Sequence, residues 1–227
     1  IGGSVSLASG EGVATSSGSI KVRTSNAGTS GVSGMLVFSS GTTSLGNSGM
    51  VMIGSGAATV GRGGSIAVTV GSGTSGSGGY VRVQSGRSTI HTGGALTIES
   101  GEGTGTSSGS IKVRTSNAGT TGVSGMLVFS SGTSSVGNSG MVLIGSGVAT
   151  GGRGGSIEIA VGSGTSGSGG YIRIQSGLPT ADSALGGAVL VEGGSYVSVT
   201  GGKSALSTGG AITLASGEGT GTSSGSI

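Results

Sequence analysis

The sequence predicts an all-β protein: a flattened, two-sided parallel β-solenoid with coils of about 15 residues, an antiparallel β-meander being the alternative. Three observations predict it. Glycine recurs at a fixed spacing, the residues two and four places beyond each such glycine are apolar, and Gly-rich turns bound these short alternating segments.

The glycine series comes first. Gly3, Gly18, Gly34, Gly49, Gly64, Gly79 and Gly94 are separated by 15, 16, 15, 15, 15 and 15 residues, and the first six begin a long repeat of 91. A second copy follows at Gly109, Gly125, Gly140, Gly155 and Gly170. The same 91-residue shift carries MLVF at 35 onto MLVF at 126 and GRGGSI at 61 onto GRGGSI at 152. Each of these glycines is numbered 0 below, and the residues after it +1, +2 and so on.

Positions +2 and +4 are apolar in every module: Val5/Leu7, Ile20/Val22, Leu36/Phe38, Val51/Ile53, Ile66/Val68, Val81/Val83 and Leu96/Ile98. The second copy continues with Ile111/Val113, Leu127/Phe129, Val142/Ile144, Ile157/Ile159 and Ile172/Ile174. Alternation of this kind marks a half-buried strand whose +2 and +4 side chains face a core. A weaker strand is expected from the rest of each module, where one apolar or small residue usually falls near +11, as at Leu45, Val60, Ile90 and Val136. A single module cannot cover its own apolar side, but a stack can. Glycine suits the corners through its access to positive φ, and Asn26, Asn47, Asn117 and Asn138 suit turns. At rungs about 4.8 Å apart, such a stack would advance about 29 Å per long repeat.

Composition agrees with a patterned chain. Among 227 residues there are 58 Gly, enough to mean a flexible linker if they lacked a period. Only 7% of residues are charged while 32% are hydrophobic, the reverse of the disordered signature. The net charge of +3 comes from sparse bases and acids, too dilute for a nucleic-acid surface. No Cys is present, so neither disulfides nor thiolate metal sites are available. No apolar run approaches the ~20 residues of a spanning helix.

The whole chain, 1–227, is expected to be one continuous stretch of a longer repeat protein, since it opens on IGGSVSL and closes on SSGSI within repeats. The long repeats cover 3–93, 94–209 and, in part, 210–227. An insertion at about 178–202 holds the only Pro and the only Asp, Pro179 and Asp182, and reads as an added coil with a loop around Leu178 to Leu185.

The phrases GSIKVRTSNAGTSGVSG, SSGTTSLGNSG, GRGGSI and VGSGTSGSGG together resemble the long Gly/Ser/Thr-rich, solenoid-like repeat proteins of diatoms and related algae. The resemblance spans nearly the whole chain outside 178–202. It implies large secreted or wall-associated proteins, and it offers no catalytic residues to carry over.

Catalytic chemistry finds little support. His91 is the single histidine and lies beside a turn. Glu11, Glu102 and Glu218 recur one per long repeat in SGEG turns, which suits corner charges better than a paired acid and base. The loops lack the Asp of calcium-binding nonapeptides. GSGTSG at 71 and 162 matches a phosphate-loop pattern, but no helix is expected after it. GRGG at 61 and 152 is locked to the period and reads as a corner. Threonines are too irregular for an ice-binding array. No enzyme activity, cofactor or metal is expected.

The remaining candidate lies at +1 and +3, the positions expected to face outward. Most modules place Ser, Ala, Thr, Lys or Arg there. Two adjacent modules instead present Met35, Val37, Met50 and Met52, and the second copy presents Met126, Val128, Met141 and Leu143. An exposed block of this kind is adhesive, and Met adapts readily to a partner surface. The expectation is a structural protein that docks laterally on copies of itself through these strips, forming an extracellular or cell-wall filament or sheet. The alternative is an adhesin or matrix module that holds anionic polysaccharide or silica through Lys21, Tyr80, Arg82, Lys112, Tyr171 and Arg173.

Overall fold

A computed structural model describes residues 2–166, 169–178, 186–203, 208–217 and 225. The chain divides into two bodies, Ile1–Lys112 and Val113–Ile227.

The solenoid expectation is overturned. Among the described residues there is neither helix nor strand, and no side chain is buried. The meander fails on the same ground, and with the strands goes the expected axial advance of about 29 Å. The +2 and +4 residues assigned to a core remain open to solvent: Ile20 is 50% exposed, Leu36 48% and Phe38 68%. The alternation survives only in part: Leu36 and Val51 at +2 are 48% and 51% exposed against 85% and 77% for Met35 and Met50 at +1, whereas Met52 at +3 and Ile53 at +4 are alike at 77% and 76%. A two-state chemical alternation needs a second layer to become a two-state burial, and neither body provides one.

The 15-residue period nevertheless governs the backbone. Sharp bends fall at 13–15, 44–46, 59–61, 74–76, 89–91, 104–106, 135–137 and 150–152, with tighter turns at 29–30 and 120–121. Each lies between +10 and +12 of its module. The expected second strand is therefore a bend, and where a module has an apolar residue at +11 it stands at the apex: Leu45 is fully exposed and Val60 nearly so. Positive φ is confined, among the described residues, to Gly61 and Gly137, both at +12. The asparagines do not adopt it.

What each bend accomplishes is a chain reversal that brings +6 of one module against glycine 0 of the next. The amide of Gly18 donates to the carbonyl of Gly10 at 3.0 Å, Gly94 to Gly86 at 2.9 Å, and Gly109 to Gly101 at 2.9 Å. At +6 the side chain is usually Ser or Thr. The hydroxyls of Ser9, Ser55 and Ser146 each donate at 3.0 Å to the carbonyls of Gly18, Gly64 and Gly155, and Thr24 donates to Gly34 at 3.1 Å. Thr24, Ser85 and Ser176, all at +6, are among the few half-buried side chains.

This contact explains glycine at position 0 in most modules, the exceptions being Gly49 and Gly140, where a Cβ would stand at 3.4 and 3.5 Å from the serine. A Cβ on Gly64 would lie 2.9 Å from the Cβ of Ser55, and one on Gly155 would lie 3.0 Å from that of Ser146. Where +6 is Val the approach is closer still, 2.6 Å from a Gly79 Cβ to Val70 Cγ1. A parallel coil would instead juxtapose residues 15 apart; the observed neighbours are nine or ten apart.

Part of the insertion follows the same rule. Gly187 takes the place of glycine 0 against Ser176 and donates to the Gly177 carbonyl at 3.0 Å, closing a longer loop. The backbone then bends at 194–195 beside Tyr196, and Gly210 closes on Gly202 at 2.8 Å. The loop expected around Leu178 to Leu185, with Pro179 and Asp182, lies outside the described residues beyond Leu178, which is 78% exposed.

Candidate apolar docking strip

The residues from Met35 to Phe38 and from Met50 to Ile53 flank one reversed loop. Gly49 at its foot sits against Ser40, a Cβ there falling 3.4 Å from the serine Cβ. That register places Phe38 close to the start of the next apolar segment. Between them lies a cleft of about 470 Å³ lined by Phe38, Val51, Met52, Ile53 and Gly54. In the second body the residues 91 further on, Phe129, Val142, Leu143, Ile144 and Gly145, line a cleft of about 450 Å³. The two sites are the same feature built twice.

Only Met52 and Leu143 of the expected strip line these clefts. Met35, Val37 and Met50 remain on the surface around the first, and Met126, Val128 and Met141 around the second, all strongly exposed. Met35 and Met126 are both 85% exposed. The sequence reading missed Phe38 and Phe129, together with Val51, Ile53 and their counterparts, because it assigned them to a core. A signal was present: Phe occurs twice in the chain, and both copies stand at +4 beside a Met-rich segment.

The cationic candidates are distributed differently. Tyr80 and Tyr171 are exposed, and Lys21, Arg82, Lys112 and Arg173 are exposed with them. The Arg82 guanidinium donates to the side-chain carbonyl of Gln84, two residues on. A small polar cleft of about 160 Å³ is lined by Arg114, Thr115, Ser116 and Asn117, just beyond Lys112. Its Thr115 is the +6 residue against Gly125.

Elsewhere the chemistry is sparse. The backbone amide of His91 donates to Ser88 Oγ at 2.9 Å, so this residue helps shape a bend. Glu11 and Glu102 are exposed within their SGEG loops, and Glu218 lies outside the described residues. Among the described residues no group of three His, Cys, Asp or Glu side chains could hold a metal ion. No helix among them is long and apolar enough to cross a membrane.

No family model matches the chain, and no curated protein or solved structure shows significant similarity to it.

Proposed function

We propose that this chain is a structural repeat protein that associates laterally with copies of itself through the recurring Met-rich strips, building an extracellular or wall-associated filament or sheet. The observation that carries this reading is the duplicated apolar cleft, one in each body, surrounded by exposed Met, Val and Leu side chains.

The surface of the chain supports it. The accessible area is 22598 Å². A globular protein of 20.8 kDa would expose about 9,000 Å² and an unfolded chain about 30,000 Å². Burial within the chain therefore falls well short of what a self-sufficient domain requires. Apolar contact between chains is the available source of the rest, at about 25 cal/mol per Å² covered. A second copy suits the partner role because the sparse charges near the strips set up no strong repulsion, and both strips offer the same chemistry. Two sites per chain allow growth beyond a dimer.

The test is replacement of Met50, Met52, Met141 and Leu143 by Ser, followed by sedimentation and electron microscopy. Loss of assembly is the expected result. Fibres or sheets that form unchanged would remove the strips from the mechanism.

A second reading has its own observation, the polar cleft at Arg114 among exposed bases. On this reading the chain is a matrix module that holds anionic polysaccharide or silica through Lys21, Tyr80, Arg82, Lys112, Tyr171 and Arg173. Substituting Lys21, Arg82, Lys112 and Arg173 by Ala would then abolish retention on an anionic surface while leaving self-association intact.

A further inference from the structure

The chain contains five methionines, and all five lie in the two strips: Met35, Met50 and Met52 in the first, Met126 and Met141 in the second. Each is between 77% and 85% exposed. None occupies +2 or +4, although those positions are apolar in every module and would accept a thioether, and none stands at a bend apex. Cysteine is absent, so these are the only sulfur atoms in the molecule. We propose that the strips are oxidative modification sites, and that conversion of their methionines to sulfoxides by a hydroperoxide dissolves the lateral assembly. This inference rests on the self-association reading above.

The chemistry is a two-electron transfer of one oxygen atom. A thioether lone pair attacks the distal oxygen of the peroxide, the O–O bond breaks and an S–O bond forms. Sulfur is oxidised to the sulfoxide, and hydrogen peroxide leaves as water or an organic hydroperoxide as its alcohol. In the unassembled chain the thioethers stand open to peroxide, so oxidation proceeds through chains in exchange with the assembly and needs no opening of the chain itself. The product is polar and chiral in place of a flexible apolar group. At a contact built on covering such groups, each sulfoxide either keeps a water or is buried without a partner, and both weaken docking. Leu143, which stands where the first strip has Met52, makes the second strip the less sensitive of the two.

The experiment treats the assembled chain with hydrogen peroxide and follows intact mass beside light scattering. The expected mass gain is five oxygen atoms per chain, one for each methionine. The protein concentration needed to assemble should rise on the order of tenfold or more. A variant carrying Met35→Leu, Met50→Leu, Met52→Leu, Met126→Leu and Met141→Leu keeps no thioether, and whatever concentration it needs to assemble should be the same before and after peroxide. Disassembly of that variant by peroxide would overturn the inference, as would wild-type chains that gain oxygen yet stay assembled, or that resist oxidation under conditions that oxidise free methionine. Untreated wild-type protein that never assembles would overturn the self-association reading and this one with it, a result distinct from assembly that ignores peroxide. Restoration of assembly by methionine sulfoxide reductase would support the inference from the opposite direction.

Discussion

Ser55 and Gly64 meet across a reversed loop: the serine hydroxyl donates to the Gly64 carbonyl at 3.0 Å, and a Cβ on Gly64 would stand only 2.9 Å from the serine Cβ. The same pairing of +6 with the next glycine recurs along both bodies. It is the local interaction from which the 15-residue rhythm is built.

Gly64→Ala should open that loop, because the new methyl and the serine Cβ cannot both keep their places. Overpacking of this kind costs about 1 kcal/mol or more. Gly63→Ala is the matched control, with nothing within 4 Å of its Cβ. Proton NMR contacts between residues 55 and 64 should vanish in the first variant and persist in the second. Equal spectra would remove steric exclusion as the reason for glycine at position 0.

Ser9→Ala removes the hydroxyl that donates to Gly18 and leaves the Gly18 amide bonded to Gly10. An exposed neutral hydrogen bond of this type contributes about 0.5–1 kcal/mol. Amide exchange at Gly18 should therefore quicken by about twofold to fivefold, and Ser9→Thr should restore the wild-type rate. An unchanged rate in Ser9→Ala would mean the backbone bond alone closes the loop.

Phe38→Ala and Phe129→Ala each strip the aromatic wall from one apolar cleft. Either change should raise the assembly concentration by about tenfold, and the two should be roughly additive because they occupy separate bodies. If the double variant behaves like either single one, only one cleft takes part in association.

Salt separates the two functional readings. Apolar docking should hold or strengthen as sodium chloride rises to about 0.5 M, since screening removes what little repulsion exists. Retention on silica or an anionic polysaccharide should weaken over the same range. Scattering and binding isotherms on one sample give both answers.

Dilute, unassembled chain should unfold without a sharp transition. The slope of unfolding free energy with denaturant tracks the area newly exposed, and a chain at 22598 Å² has little left to expose before reaching about 30,000 Å². Cooperativity should appear, and the midpoint should climb, as concentration drives association. A steep transition at high dilution, independent of concentration, would contradict the exposed surface described above.

Residue types alone determined the period, the glycine at its start, the apolar pair at +2 and +4, and the two places where Met and Val replace polar residues. These are one-dimensional facts, and the bends at +10 to +12 respect them. The same reading placed Leu36, Phe38, Val51 and Ile53 in a core, because alternation tells which residues differ and never what covers them. Whether a module meets its neighbour at a distance of 15 residues or of nine is equally invisible to a repeat. Both separations recur with the same period, and the tertiary structure decided for nine, through Ser or Thr at +6 closing on the next glycine. The serine–glycine pairs nine residues ahead of that glycine, as at Ser9–Gly10 and Ser55–Gly56, were legible and carried that signal. The loss of a core then follows physically. Once each module closes on itself through its loop, its apolar segment has no second layer within either body, and Met52, Val51 and Phe38 are left lining an open cleft.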